Sequence, residues 1–404
     1  MRSGDCTADP KALHTCRAGN SVRFTAIESA DAPTGSHLAS VLPSWGDRAD
    51  LARGRRDDPA RGHSATARLD GGQGDSMRVQ AGIRRRTVVL TAVLSTVALV
   101  AGACGGGDGT GDEVRSVNGQ TYDLSPQQAS RVHADKVDSI AAQVPAAIRD
   151  RGTLIVTGSA DAGAPLRFYA TDDRTVIGSE LDFASLVADV IGLKLDVRTA
   201  DWAQNFVAVD SGAVDAFISN VTVTEERKEK YDFATYRKDT LALELPKDAN
   251  WTYKDRESLA GKRIGVGSGT NQEQLLVQWD QQNVAQGLPK IEIAYYQKTT
   301  DYYLALASHR LDGFLGPDPD AAYHVATTGQ TKIVSTFSGA GDALQAEIAV
   351  LTKKDNGLIG PVHQALQYAI DHGLYRKVLD RWGLGGEAVQ QSRINPPGLP
   401  KKAP

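Results

Sequence analysis

Apolar positions recur at helical spacing over 125–151, where Val137, Ile140, Ala141, Val144 and Ile148 fall on one face, and Gly152 closes the stretch. The run T-L-I-V-T that follows has the continuous apolar character of a strand buried on both faces. A helix is predicted over 181–191, a strand in L-K-L-D-V-R, a helix over 203–211 and a strand in V-D-A-F-I-S, with a further helix starting at Glu225. Strand and helix alternating in this order imply a parallel sheet with helices on both faces.

A second unit repeats the cadence. K-R-I-G-V-G reads as a strand, 271–283 as a helix, I-E-I-A-Y-Y as a strand, 300–308 as a helix and L-D-G-F-L-G as a strand. Two extended segments, T-L-A-L-E-L-P-K before this unit and E-I-A-V-L-T-K-K after it, bracket the second unit as crossings between two lobes. A final helical stretch covers 358–382 and breaks near Gly373. The expected organisation is α/β in two lobes, with 125–245 and 345–384 forming the first and 246–344 the second. The tail, 385–404, lacks a core pattern and is expected to be loose.

The preceding residues are of another kind. Residues 1–76 are rich in Arg, Asp, Gly, Ala and Ser without a sustained apolar period, and read as disordered or as lying upstream of the true start of translation. Met77 opens M-R-V-Q-A-G-I-R-R-R, with four arginines and no acid; 87–103 is uncharged and apolar, and Cys104 follows. That order of basic, apolar and small residues predicts an export signal over 77–104, in preference to a spanning helix. A true start at Met77 is expected, because such a signal must stand near the beginning of a nascent chain. The glycine-rich 105–124 reads as a flexible tether.

Composition narrows the chemistry. At 404 residues the chain has room for two cores, and its net charge of −4 argues against nucleic acid as a partner. Of three cysteines, Cys6 and Cys16 precede the signal and Cys104 ends it, so the folded part offers neither a disulfide framework nor a thiolate metal site. The eight histidines show no paired spacing, and neither a metal nor a cofactor is expected.

Several segments together resemble the family 3 extracellular solute-binding proteins of bacterial ABC importers. They are G-S-E-L-D-F-A-S-L-V-A (178–188), D-W (201–202), S-G-A-V-D-A-F-I-S-N-V-T-V-T-E-E-R (211–227), Y-D-F-A (231–234), L-A-G-K-R-I-G-V-G-S-G-T (259–270), R-L-D-G-F-L (310–315) and Y-R-K-V-L-D-R-W-G (375–383). V-A-G-A-C also resembles a bacterial lipobox, with Ala101 where Leu is usual, and this implies that Cys104 carries a lipid anchor. Arg84 and Arg85 leave a twin-arginine export route open. The resemblance implies a periplasmic-binding-protein fold whose lobes close on a small polar ligand, an amino acid above all. It also implies a permease as partner, a membrane-anchored monomer outside the cytoplasm, and no catalysis.

In T-V-T-E-E-R, Thr222 or Thr224 suits a helix N-terminus, where free amides favour an anion, and Arg227 one turn in offers a planar fork to a carboxylate. An ordinary cap with a surface arginine fits the same six residues. The resemblance implies that the matching Thr and Arg hold the ligand's α-carboxylate, that Trp202 walls the cleft, and that Ser219 and Asn220 face the ligand; a core tryptophan fits Trp202 equally. Asn220 departs from the usual Gly or Ser. G-V-G-S-G-T-N-Q-E joins a strand to a helix; Thr270 stands where a dinucleotide loop needs its last glycine, and Thr270 with Glu273 fits a capping box. Gly269, Thr270 and Asn271 are the second lobe's candidates for the same carboxylate. The family's amine-binding Asp is replaced by Pro317, so Asp318 and, in the first lobe, Asp161 are the candidates for the amine. Pro165, Phe168 and Tyr169 can rebuild part of the wall, and Arg167 and Glu180 can face either solvent or ligand. The competing readings are a dehydratase-like enzyme on the same scaffold, acting on a small carboxylate, and a sensory lobe.

Overall fold

The computed structural model describes residues 114–160 and 162–401, so the export signal, Cys104 and Asp161 lie outside the described residues. The chain begins with a hairpin, β1 (Val114–Val117) and β2 (Gln120–Asp123). Short helices α1 (Asp138–Ala141) and α2 (Ala146–Arg151) follow. Then come β3 (Thr153–Thr157), the small pair β4 (Phe168–Tyr169) and β5 (Val176–Ile177), α3 (Ser179–Ile191), β6 (Lys194–Val197), α4 (Trp202–Asp210), β7 (Ala216–Thr222) and β8 (Tyr231–Lys238). The second lobe holds β9 (Thr240–Pro246), β10 (Arg263–Gly267), α5 (Asn271–Ala285), β11 (Glu292–Tyr296), α6 (Thr299–Ala307), β12 (Gly313–Pro317), α7 (Asp318–Thr328) and β13 (Thr331–Ser338). The chain returns through β14 (Glu347–Lys353), α8 (Ile359–Asp371) and α9 (Leu374–Arg381).

Two five-stranded sheets organise these elements, in the orders β6-β3-β7-β14-β8 and β11-β10-β12-β9-β13. In each sheet three strands run parallel and the strands next to the lobe crossings pair antiparallel. The first sheet is covered on one face by α3, α8 and α9 around Phe183, Leu366 and Trp382, and on the other by α4 around Phe217 and Phe233. Every residue of β7 is buried, the polar Ser219, Asn220 and Thr222 included, as in a strand covered on both sides. The crossings are the single link at Asp239 and the segment 339–346. There Asp239 donates its amide to Ala346, and the Gly339 amide donates to the Asp239 carbonyl.

Four sequence expectations change. Extended chain and a Pro145 break leave only α1 and α2 where one long helix was expected, although Ile140, Ala141, Val144 and Ile148 are buried as the pattern required. The helix expected from Glu225 is a single 3-10 turn, Arg227–Glu229, followed by β8. The first crossing falls at 239, because Thr240–Pro246 pairs on both edges inside the second sheet. The segments expected to be tether and loose tail both carry structure. The hairpin buries Tyr122, and the tail runs along β8, where Asn395 bonds the Phe233 amide and Asp232, before Leu399 enters the second lobe's core.

Candidate functional site

A cavity of about 120 Å³ lies between the lobes. The first lobe contributes Trp202, Ser219 and Asn220; the second contributes the 267–272 loop and helix start, Tyr302, Phe314 and Asp320. That volume is on the scale of one small solute.

At its floor lie Ser219 and Asn220, in the second half of β7. The Ser219 hydroxyl accepts the Ser159 amide at 3.2 Å. Asn220 has a φ of +55°, a left-handed conformation that Asn tolerates better than most residues. Its amide donates to Glu180 at 3.0 Å and its side-chain carbonyl accepts from Arg237 at 2.6 Å. Arg237 also pairs with Glu180 at 2.9 Å and with Glu387, and Tyr236 donates to Glu180. Arg237 and Glu180 are fully buried, so this network fixes the floor from beneath. Glu180 and Arg167, either of which the sequence allowed to face the ligand, do not line the cavity. Both are buried, and Arg167 donates to the carbonyls of Ile218 and Arg198 at 3.4 and 2.8 Å. Burial pulls the Arg167 guanidinium down to about 10.

Trp202 opens α4 and meets Phe217 and Phe206 edge-on, with centroids 5.2 and 5.5 Å away. Its indole N–H donates across the gap to the Gly269 carbonyl at 3.1 Å. The Arg227 guanidinium sits 5.4 Å from the ring centres of Trp202 and Phe206 and donates to the carbonyls of Thr222 at 2.9 Å and Gly269 at 3.1 Å. Burial draws its pKa down to about 10, which leaves it charged at neutral pH. Two side chains of one lobe thus grip one carbonyl of the other. Arg227 faces 269–271 as expected, at the edge of the gap and beside the cavity, and with carbonyl acceptors in place of an anion. No α-helix starts at Thr222 or Thr224; Thr224 accepts the Arg227 amide at 3.1 Å, an ordinary cap on the 3-10 turn. Thr222 instead donates its hydroxyl to Asp239 at 2.7 Å. Asn271 donates to the same carboxylate at 3.0 Å, so both side chains serve the lobe crossing. Burial raises the Asp239 pKa.

In the second lobe, Gly269 adopts a φ of +74° and its amide donates to Glu273 at 2.6 Å. Thr270 caps α5, accepting the Glu273 amide at 3.2 Å; the reciprocal half of the expected capping box goes to Gly269 instead. The first amides of α5 have no preceding turn to bond and lie at the cavity edge. Tyr302 stacks on Phe314, centroids 3.6 Å apart, and its hydroxyl donates to Asp320. Burial pushes the Asp320 carboxyl up to about 8. Asp318 lines a different cavity, and α-helical spacing is the reason: residues two apart on a helix point to different sides, so D-P-D sends Asp320 and not Asp318 to this one. Of the residues expected to rebuild the wall, Pro165 lines that other cavity, Phe168 packs on Trp382 and Tyr169 is exposed. The second acid of D-P-D was the available signal for Asp320; the aromatic pair carried none.

Comparison with known proteins agrees with this architecture. The model of the bacterial extracellular solute-binding proteins, family 3, matches residues 155–385. The L-cystine-binding protein TcyJ of Escherichia coli K12 is 30% identical over 236 residues, 58% of this chain and 84% of that protein. The arginine-binding protein ArgT of Corynebacterium glutamicum is 26% identical over 273 residues, 67% of this chain and 87% of its own length. Among solved structures, an ancestral arginine-binding protein bound to arginine superposes with a TM-score of 0.51 at 26% identity, covering 57% of this chain and 98% of that one. The ancestral amino-acid-binding protein AncCDT-1, a precursor of cyclohexadienyl dehydratase, gives 0.50 at 25%, covering 58% and 97%. With its two lobes, its double crossing and a family match over more than half its length, the chain belongs to the bacterial extracellular solute-binding proteins, family 3.

Proposed function

We propose that the chain captures a free α-amino acid between its lobes and delivers it to the permease of an ABC importer. The observation that carries this is the convergence of Arg227 and Trp202 from one lobe on the 269–271 helix start of the other, beside a cavity sized for one small solute. In the proposed complex the ligand's carboxylate takes the Arg227 fork from the Gly269 carbonyl and adds the free amides of α5. The Tyr302–Phe314 pair and Trp202 wall the side chain, and Asp320 takes the ammonium in place of both the missing acid at 317 and Asp318. Ligand contacts from both lobes exist together only when the lobes are closed, so binding shifts the population toward that form.

The relatives that bind cystine and arginine support an amino acid as ligand. In the same proposal the chain is an exported monomer held at the membrane by lipid on Cys104, and it binds without turnover. The likeness to a dehydratase precursor that is itself an amino-acid-binding protein favours binding over the dehydratase-like alternative. A thermal-shift screen of the full-length protein against the common amino acids and small carboxylates tests the proposal. Stabilisation by at least one α-amino acid, recovered intact after incubation, is expected. Stabilisation by none, or conversion of the stabilising compound, refutes it.

A further inference from the structure

The gap between the lobes is divided. Gly163, at a φ of +87°, abuts Asp320 so closely that a Cβ would fall 2.0 Å from its Oδ1. Ala162 and Asp320 face the cavity described above, whereas Pro165 and Asp318 face a second one of about 310 Å³, and no residue lines both. The second cavity is also built from both lobes: Tyr122, Trp382 and Glu387 come from the first, Asp318 and Tyr323 from the second.

Its walls are aromatic. Tyr122 meets Tyr323 edge-on at 5.1 Å and Trp382 at 6.4 Å. Three of its polar side chains, Tyr122, Asp318 and Glu387, have an atom without a partner among the described residues. Tyr122 is only 8% exposed, and its hydroxyl has no hydrogen bond among the described residues, lying beside Gly383 on the wall. Asp318 has neither hydrogen bond nor ion pair among the described residues, and burial raises its pKa. Glu387 is 7% exposed; one of its oxygens pairs with Arg237 and the other, Oε1, has no partner.

Charge is unbalanced in one direction. Arg237 is shared between Glu387 and Glu180, which leaves Asp318 uncompensated. Arg381, which lies 4.9 Å from the Trp382 ring centre, is spent on Asp182 and Asp123. Acids facing aromatic rings suit a cation with an organic body, held by charge at one end and by ring faces along its length. A metal ion fits poorly, because no group of three or more His, Cys, Asp or Glu side chains among the described residues is placed to hold one.

We propose that this second cavity is a binding site for an organic cation, a primary ammonium or guanidinium compound, and that it requires no carboxylate on its ligand. It goes beyond the amino-acid site and does not depend on it. Since both lobes form its walls, a cation there also favours the closed arrangement, and each cavity strengthens binding at the other.

The test is calorimetric titration of the full-length protein with cadaverine, a diamine that has no carboxylate for Arg227 to hold. Saturable binding is expected. Asp318→Asn should weaken it by about tenfold or more, the loss of one charge-assisted contact, and Tyr323→Ala should weaken it through the lost wall. Arg227→Ala should retain it. Asp318→Asn keeps the side chain's shape at a position without internal bonds, so it decides the matter even if Tyr323→Ala fails to fold. No saturable heat at millimolar cadaverine, an affinity indifferent to Asp318→Asn, or loss of binding in Arg227→Ala overturns the proposal.

Discussion

Replacing Arg237 by Met tests whether the buried network beneath the cavity holds the structure and the floor together. The substitution keeps most of the side-chain volume and removes the one cation that Glu180 and Glu387 share. Breaking a fully buried pair by deleting one partner costs about 3–5 kcal/mol, because the remaining charge is left without compensation. Glu180 keeps the Tyr236 hydroxyl and the Asn220 amide, whereas Glu387 has an oxygen that is unpartnered already, which puts the expected cost near the middle of that range. At about 2–4 °C per kcal/mol for a domain of this size, the melting temperature should fall by about 10 °C at pH 8. The deficit should shrink toward pH 5. Burial lifts the Glu387 carboxyl from 4.5 to about 7, so below that value it already holds a proton in the wild type and contributes less to the pair. By itself this raised carboxyl favours the folded state at low pH, and that contribution is lost as pH rises through about 7. Scanning calorimetry of wild type and variant at both pH values makes the comparison. A melting temperature within about 2 °C of wild type at pH 8, or a deficit no smaller at pH 5, refutes the reasoning.

Three further outcomes follow from other contacts. Because burial pushes the Asp320 carboxyl up to about 8, an ammonium ligand must displace its proton. Affinity should therefore rise with pH, by up to about tenfold per unit between 6 and 8, and Asp320→Asn should flatten that slope in titrations across the range. Deleting residues 392–404 removes Leu399, 3% exposed, from the second lobe's core together with the Asn395 bonds to β8. The expected loss is about 4 kcal/mol in denaturant unfolding, because burial of one leucine is worth about 1.5–3 kcal/mol and each of the two Asn395 bonds about 1 kcal/mol. Gly163→Ala adds a Cβ 2.0 Å from Asp320 at a left-handed φ, so the lobes cannot close fully there. Ligand affinity should fall by about tenfold or more while the cores of both lobes persist, read by titration and by melting.

The layered elements were legible because each answers to a local pattern. Gly152, Gly192 and Gly373 stand at positive φ where the apolar periods break, and β3, β7 and β10 each carry a short apolar core, Leu154–Val156, Ala216–Ile218 and Ile264–Val266. Boundaries set by long-range partners were not legible. Residues 225–230 carry a helical composition, yet the tail pins that turn: Glu225 donates its amide to Leu399 and accepts the Gly398 amide. The tail itself is polar and proline-rich, and its order comes from lying against β8 and not from any period of its own. At the site, Arg227, Trp202 and the 269–271 segment could be named from the sequence, since family motifs mark them. Thr222 and Asn271 proved to serve Asp239 with their side chains, a pairing across the crossing that no local spacing announces. The choice between Asp318 and Asp320 depended on where α7 begins, one of the least readable features of a sequence.

Titration of the full-length wild type and of Arg227→Ala with the amino acid that stabilises the protein best addresses the central claim without intermediaries. A charge-assisted carboxylate contact is worth about 1.5–3 kcal/mol, so the variant should bind about ten- to a hundredfold more weakly while melting as a folded protein. Equal affinities in the two proteins would mean that this guanidinium only clasps the Gly269 carbonyl, and that the ligand is held by something else.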